Sequence, residues 1–182
     1  MAATGSRVEV GAMLAAWDQA CVVRAGFDTT ADSGYGVKEA ADAVSRIAEA
    51  TVRYGSDQLG RGTVVLLGQA VRSMGTGPAA DRRAHLVSSF TKTLADKLTG
   101  LTETWPDLVE AADLPMVHKV VGLAMAGHTD LLTWRDEFGP VPEGEHHAMT
   151  AALALTAEFV DLVDGPGACG RRLLAELEND LG

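Results

Sequence analysis

Residues 56–74 read SDQLGRGTVVLLGQAVRSM, and the fold class turns on them. Gly60, Gly62 and Gly68 each weaken a helix interior by roughly 1 kcal/mol relative to Ala. The aliphatic run from Thr63 to Leu67 has the composition of a short buried strand. Against that, Leu59, Leu66, Ala70 and Met74 keep helical spacing, and a lone strand needs a partner that no second run in the chain supplies. The stretch therefore reads as a helix, and the chain as all-α.

Upstream of it, Val37, Ala41, Val44, Ala48 and Val52 recur at helical offsets, and Gly55 closes the stripe. Residues 28–36, DTTADSGYG, are turn formers without periodicity and read as a surface loop. Before that loop, Ser6 and Glu9 have capping-box spacing. They predict a first helix whose apolar face carries Val10, Met13, Leu14, Trp17 and Cys21 and which Gly26 ends.

Downstream, Pro78 suits a helix entry, and Leu86, Val87, Phe90, Leu94, Leu98 and Leu101 supply the stripe behind it. A short helix is expected from Thr104, ended at Leu114-Pro115. A long one, capped by Asp113, is expected to run to about Phe138. Residues 139–144, GPVPEG, break the pattern and read as extended. A helix from about Glu145 to Asp164 follows, then Gly165-Pro166-Gly167 and a last helix carrying Leu173, Leu174, Leu177 and Leu181. The expectation is a single compact bundle-like domain over residues 1–182, with seven or eight helices and main loops at 28–36 and 139–144.

Composition excludes several function classes. The 182 residues carry 25 acidic and 15 basic side chains, a net charge of −10, which argues against a nucleic-acid partner. Between Val37 and Tyr54, Lys38, Arg46 and Arg53 are balanced by Glu39, Asp42 and Glu49, so no basic recognition helix stands there. No run of about 18 apolar residues exists and the first residues lack a signal-peptide pattern, so no membrane partner and a cytoplasmic location are expected. Cys21 and Cys169 are too far apart in sequence to read as a disulfide framework or a thiolate zinc site. Arg outnumbers Lys 11 to 4 and Ala and Gly abound, a composition that points to a high-GC bacterial gene.

Candidate chemistry concentrates in three places. On the long helix expected after Asp113, His128 falls amid an apolar arc of Val117, Val120, Val121, Ala124, Met125, Leu131 and Leu132. A desolvated neutral imidazole there is a candidate general base, with Arg135 or Thr129 as orienting groups. Glu143, His146 and His147 form the densest set of metal-ligand types. The Glu-x-x-His spacing of Glu143 and His146 suits a carboxylate-bridged metal, although no second copy of it occurs. Cys169, at a helix start and before Arg171 and Arg172, has the surroundings that activate a thiolate. Trp105, Met125 and Tyr35 are the candidates to line a small-molecule site.

With 22% charged residues and broad apolar faces, the sequence points first to a binding protein. It is expected to be a homo-oligomer, with a possible small apolar ligand held between helices. The alternative is a small enzyme using His128 and Cys169, or a metal-dependent version of it.

Overall fold

A computed structural model describes residues 7–27, 37–74 and 80–180. Among these there are eight helices and no strand, so the all-α expectation holds. They are α1 (Val10–Gly26), α2 (Val37–Tyr54), α3 (Ser56–Ser73), α4 (Ala80–Thr104), α5 (Leu114–Met125), α6 (Leu131–Asp136), α7 (Glu143–Asp164) and α8 (Ala168–Asp180).

α3, the segment with three glycines, is a continuous helix at the centre of the molecule. It packs on α7, α1 and α5, and its glycines mark the places where neighbours come closest. A Cβ at Gly60 would lie 2.9 Å from Val141 Cγ1 and 3.0 Å from its Cβ; one at Gly62 would lie 3.3 Å from the Cα of Met13 on α1. The intrinsic helix penalty of glycine is offset by this closer packing.

α7 supplies the other half of the centre. Ala148, Met149, Ala151, Ala152, Leu153, Ala154 and Ala157 are all buried, so the helix is apolar around most of its circumference, as a helix enclosed by others must be. Its small side chains admit close neighbours on several sides. The buried hydroxyls of Thr63, Thr150 and Thr156 donate to the carbonyls of Leu59, His146 and Ala152, four residues back on their own helices, so none is stranded in the core.

Three element boundaries differ from expectation. α1 begins at Val10 with Glu9 as its N-cap, and Ser6 lies outside the described residues. Residues 105–113 form turns, and Leu114-Pro115 opens α5, with proline in the first turn, instead of ending a helix. The long helix expected to reach Phe138 is broken. α5 stops at Met125, where Gly127 adopts φ +87° and the amides of Gly127 and His128 donate to the carbonyls of Ala124 and Leu123. That is a Schellman closure. Asp130 then caps α6 by accepting from the Thr133 amide at 3.1 Å.

Candidate functional site

The break after Met125 decides the fate of the histidine. His128 stands in the turn, exposed, with its carbonyl accepting from Arg72 Nη1 at 3.0 Å. The expected burial of its ring is corrected. Neighbouring Thr129 is exposed as well. Met125 is half-buried against the core. Trp105 lies against the end of α1, its ring 5.5 Å from that of Phe27 and so close to Gly26 that a Cβ there would be 2.6 Å from Cη2. Tyr35 and the 28–36 loop lie outside the described residues.

Arg135 is 1% exposed and makes a two-pronged ion pair with Glu145, itself 6% exposed. Nε and Nη2 meet the two carboxylate oxygens at 2.5 and 2.9 Å, and Nη1 donates to the Gly139 carbonyl at 2.9 Å. The guanidinium thus ties α6 and the 139–142 turn to the first turn of α7, whose N-terminal dipole also favours Glu145. Its hydrogen-bonding edge is occupied by protein groups.

α7 starts at Glu143, so successive residues there diverge by about 100°. His146 turns inward, its Nε2 2.9 Å from Gln19 Oε1, and burial together with the neighbouring His147 lowers its pKa to about 4. His147 stays near the surface, 4.0 Å from the exposed carboxylate of Glu143. The three candidate metal ligands therefore do not converge. Among the described residues no group of three His, Cys, Asp or Glu side chains is placed to hold a metal.

Cys169 is fully buried at the start of α8. Its amide donates to Asp161 Oδ1 at 2.9 Å, while Asp161 Oδ2 accepts from Arg24 Nη1 at 2.7 Å. Asp161, not a thiolate, thus takes up the positive end of α8. Burial first, and Asp161 second, push the Cys169 thiol up to about 12, the reverse of the activated state. Half-buried Cys21, on α1, is pushed up to about 12 for the same principal reason.

With those groups engaged by the framework, the surface that stands out is formed by α1 and α2. α2 carries two apolar stripes at helical spacing. The one that packs toward α1 consists of buried Ala43 and Ala50 with half-buried Ala40, Ile47 and Tyr54. The one expected from the sequence to be covered, Ala41, Val44, Ala48 and Val52, faces outward. Val44 is 54% exposed and Val52 90%. The assignment failed because the two stripes share one period, and the chain turns toward α1 the one that carries the larger Ile47 and Tyr54 among alanines.

Beside this face, α1 and α2 enclose an open groove of about 410 Å³ lined by Leu14, Trp17, Arg46, Glu49, Arg53 and Tyr54. Arg46 clasps Asp18 across it with bonds of 2.8 and 2.9 Å. The Tyr54 ring lies over Gly11, where a Cβ would come within 2.2 Å of the phenolic oxygen, and under the Arg53 guanidinium, 5.2 Å from the ring centroid. Neither this groove nor a smaller one of about 40 Å³ beside Phe90 and Phe159 includes Trp105 or Met125. No protein-family model matches the chain, and neither does any curated protein or solved structure.

Proposed function

We propose that this protein acts by association, with α2 as the docking helix and a second copy of the chain as the partner. One observation carries the reading: Ala41, Val44, Ala48 and Val52 form a continuous apolar stripe on the solvent side of α2. Other exposed large apolar residues, such as Phe138 in the turn after α6, Leu162 on α7 and Leu174 on α8, lie on separate parts of the surface. Scattered residues of that kind are normal on a protein surface, whereas a helical stripe of four is the pattern a packed neighbour uses. Burying a valine contributes roughly 1.5 kcal/mol and an alanine less, and association also has a large entropic cost, so a reversible, concentration-dependent complex is expected. The engagement of Arg135 and His146 by framework groups, and the burial of the Cys169 thiol, support binding over catalysis.

The α1–α2 groove favours a second reading, a small ligand seated against Trp17 and Tyr54, since its volume falls in the range of small-molecule sites. Among the described residues no helix is long and apolar enough to cross a membrane, and with the negative net charge this supports a partner that is neither lipid bilayer nor nucleic acid. A cytoplasmic setting fits the two unpaired cysteines.

Native mass spectrometry of the full chain tests the main reading. A dimer that disappears in Val52→Asp is the expected result. A strict monomer for the wild-type chain across accessible concentrations would overturn it.

A further inference from the structure

We infer that the α1–α2 groove takes a free α-amino acid with a large apolar side chain, its ammonium meeting Glu49 and its carboxylate Arg53; this rests on the small-ligand reading of that groove. Four charged side chains line it, Asp18, Arg46, Glu49 and Arg53. Arg46 and Asp18 neutralise each other through their two hydrogen bonds. Glu49 and Arg53, both exposed, make no hydrogen bond or ion pair with the described residues, and the Arg53 guanidinium rests on the Tyr54 ring. The other charged residues of α1, of the chain just before it and of α2, namely Arg7, Glu9, Arg24, Lys38, Glu39 and Asp42, lie outside the groove.

Residues four apart on a helix hold their Cβ atoms about 5–6 Å from each other on one face. Glu49 and Arg53 have that spacing yet stay unpaired, so a head group carrying both signs on one carbon fits between them. A carboxylate alone would meet Arg53 but set a like charge beside Glu49, and an amine alone would do the reverse. A groove left with one charge of each sign is matched by a ligand of zero net charge. The apolar lining selects the side chain. Leu14, Trp17 and Tyr54 wall the groove, and both rings are held in place: a Cβ on Gly170 of α8 would lie 3.2 Å from Trp17 Cζ2, and Tyr54 lies over Gly11. Walls already in position lose little freedom on binding. The volume of about 410 Å³ stands at the low end of small-molecule sites and suits a molecule of amino-acid size. At 100° per residue Arg53 lies about 100° around α2 from Val52 and about 180° from Val44, so an occupant leaves the outward stripe uncovered.

NMR titration of the full chain tests the inference, with L-phenylalanine as the probe beside phenethylamine, which lacks the carboxylate, and hydrocinnamate, which lacks the ammonium. L-phenylalanine is expected to shift the Trp17 indole signal and the amides of Leu14 to Asp18 and Glu49 to Tyr54. A dissociation constant in the millimolar range is expected for a ligand of about a dozen non-hydrogen atoms in an open groove. Each analogue is expected to bind about fivefold more weakly, the size of one exposed ion pair. E49Q should abolish the preference for L-phenylalanine over hydrocinnamate, and R53Q its preference over phenethylamine. If the three compounds shift the groove signals with equal affinity, or if neither variant alters the preferences, recognition of the zwitterion is overturned and the groove stands as an apolar ligand site. If none of them shifts those signals at millimolar concentrations, the ligand reading of the groove falls with it.

Discussion

Arg135 and Glu145, ten residues apart in sequence, form a buried two-pronged ion pair at 2.5 and 2.9 Å that holds the start of α7 to α6. Removing either partner strands the other charge away from water. Arg135→Ala is therefore expected to lower the unfolding free energy by about 3–5 kcal/mol, and Glu145→Ala by a similar amount. The double replacement Arg135→Met/Glu145→Leu should cost less than the two singles together, since no charge remains unpaired. Urea unfolding of the three variants checks this.

His146 makes stability fall with acid. Its pKa is lowered to about 4 in the folded chain against an unperturbed value near 6.5, so between those two pH values the unfolded chain binds the extra proton and the folded chain does not. The stability is complete above pH 6.5 and is lost as pH falls toward 4, by about 3 kcal/mol in all. Asp113, whose pKa is raised by burial and then by Glu145, acts with the opposite sign as pH falls toward the ordinary carboxylate range. The informative comparison is therefore with His146→Gln, which should flatten the profile between pH 6.5 and 4 while Asp113 still contributes.

The thiols of Cys169 and Cys21 should be sluggish toward alkylating reagents at pH 8 in the folded chain, because burial holds both near 12. Mass-spectrometric counting of iodoacetamide adducts with and without denaturant measures it. Modification of Cys169 at the rate of a free thiol in the native state would contradict its placement behind Asp161.

Two glycines on α3 should respond differently to a methyl group. At Gly60 the new Cβ meets Val141 near its backbone, and the Val141 amide is pinned to Asp57 Oδ1 at 2.9 Å, so the neighbour has little freedom to move. At Gly68 the nearest atom is the end of the Leu131 side chain, 2.4 Å from the added Cβ, which can rotate away. Gly60→Ala is expected to destabilise by about 1–3 kcal/mol despite its better helix propensity, and Gly68→Ala by less. Thermal unfolding orders the two.

Helix identity was legible in the sequence because apolar residues at offsets of three and four survive even a glycine-rich segment such as α3. What misled was continuity. Val117 to Leu132 keep one helical period across residues 114–138, so the pattern hides the break after Met125, although Gly127 as a C-terminal stop and Asp130 as an N-cap announce it locally. That break carried His128 out of the core. The metal candidates failed for a related reason: neighbouring residues on a helix diverge by about 100°, so His146 and His147 could share a ligand only on an irregular backbone. On α2 the two stripes were equally periodic, and periodicity alone does not say which of them another part of the chain will cover.

Sedimentation equilibrium of the full-length chain from micromolar to millimolar concentration, beside Val44→Asp and Val52→Asp, tests self-association through α2 most directly. The expected result is a wild-type average mass that climbs toward twice the monomer while both variants stay at the monomer. A wild-type mass fixed at the monomer throughout, or variants that climb as steeply as the wild type, would contradict it.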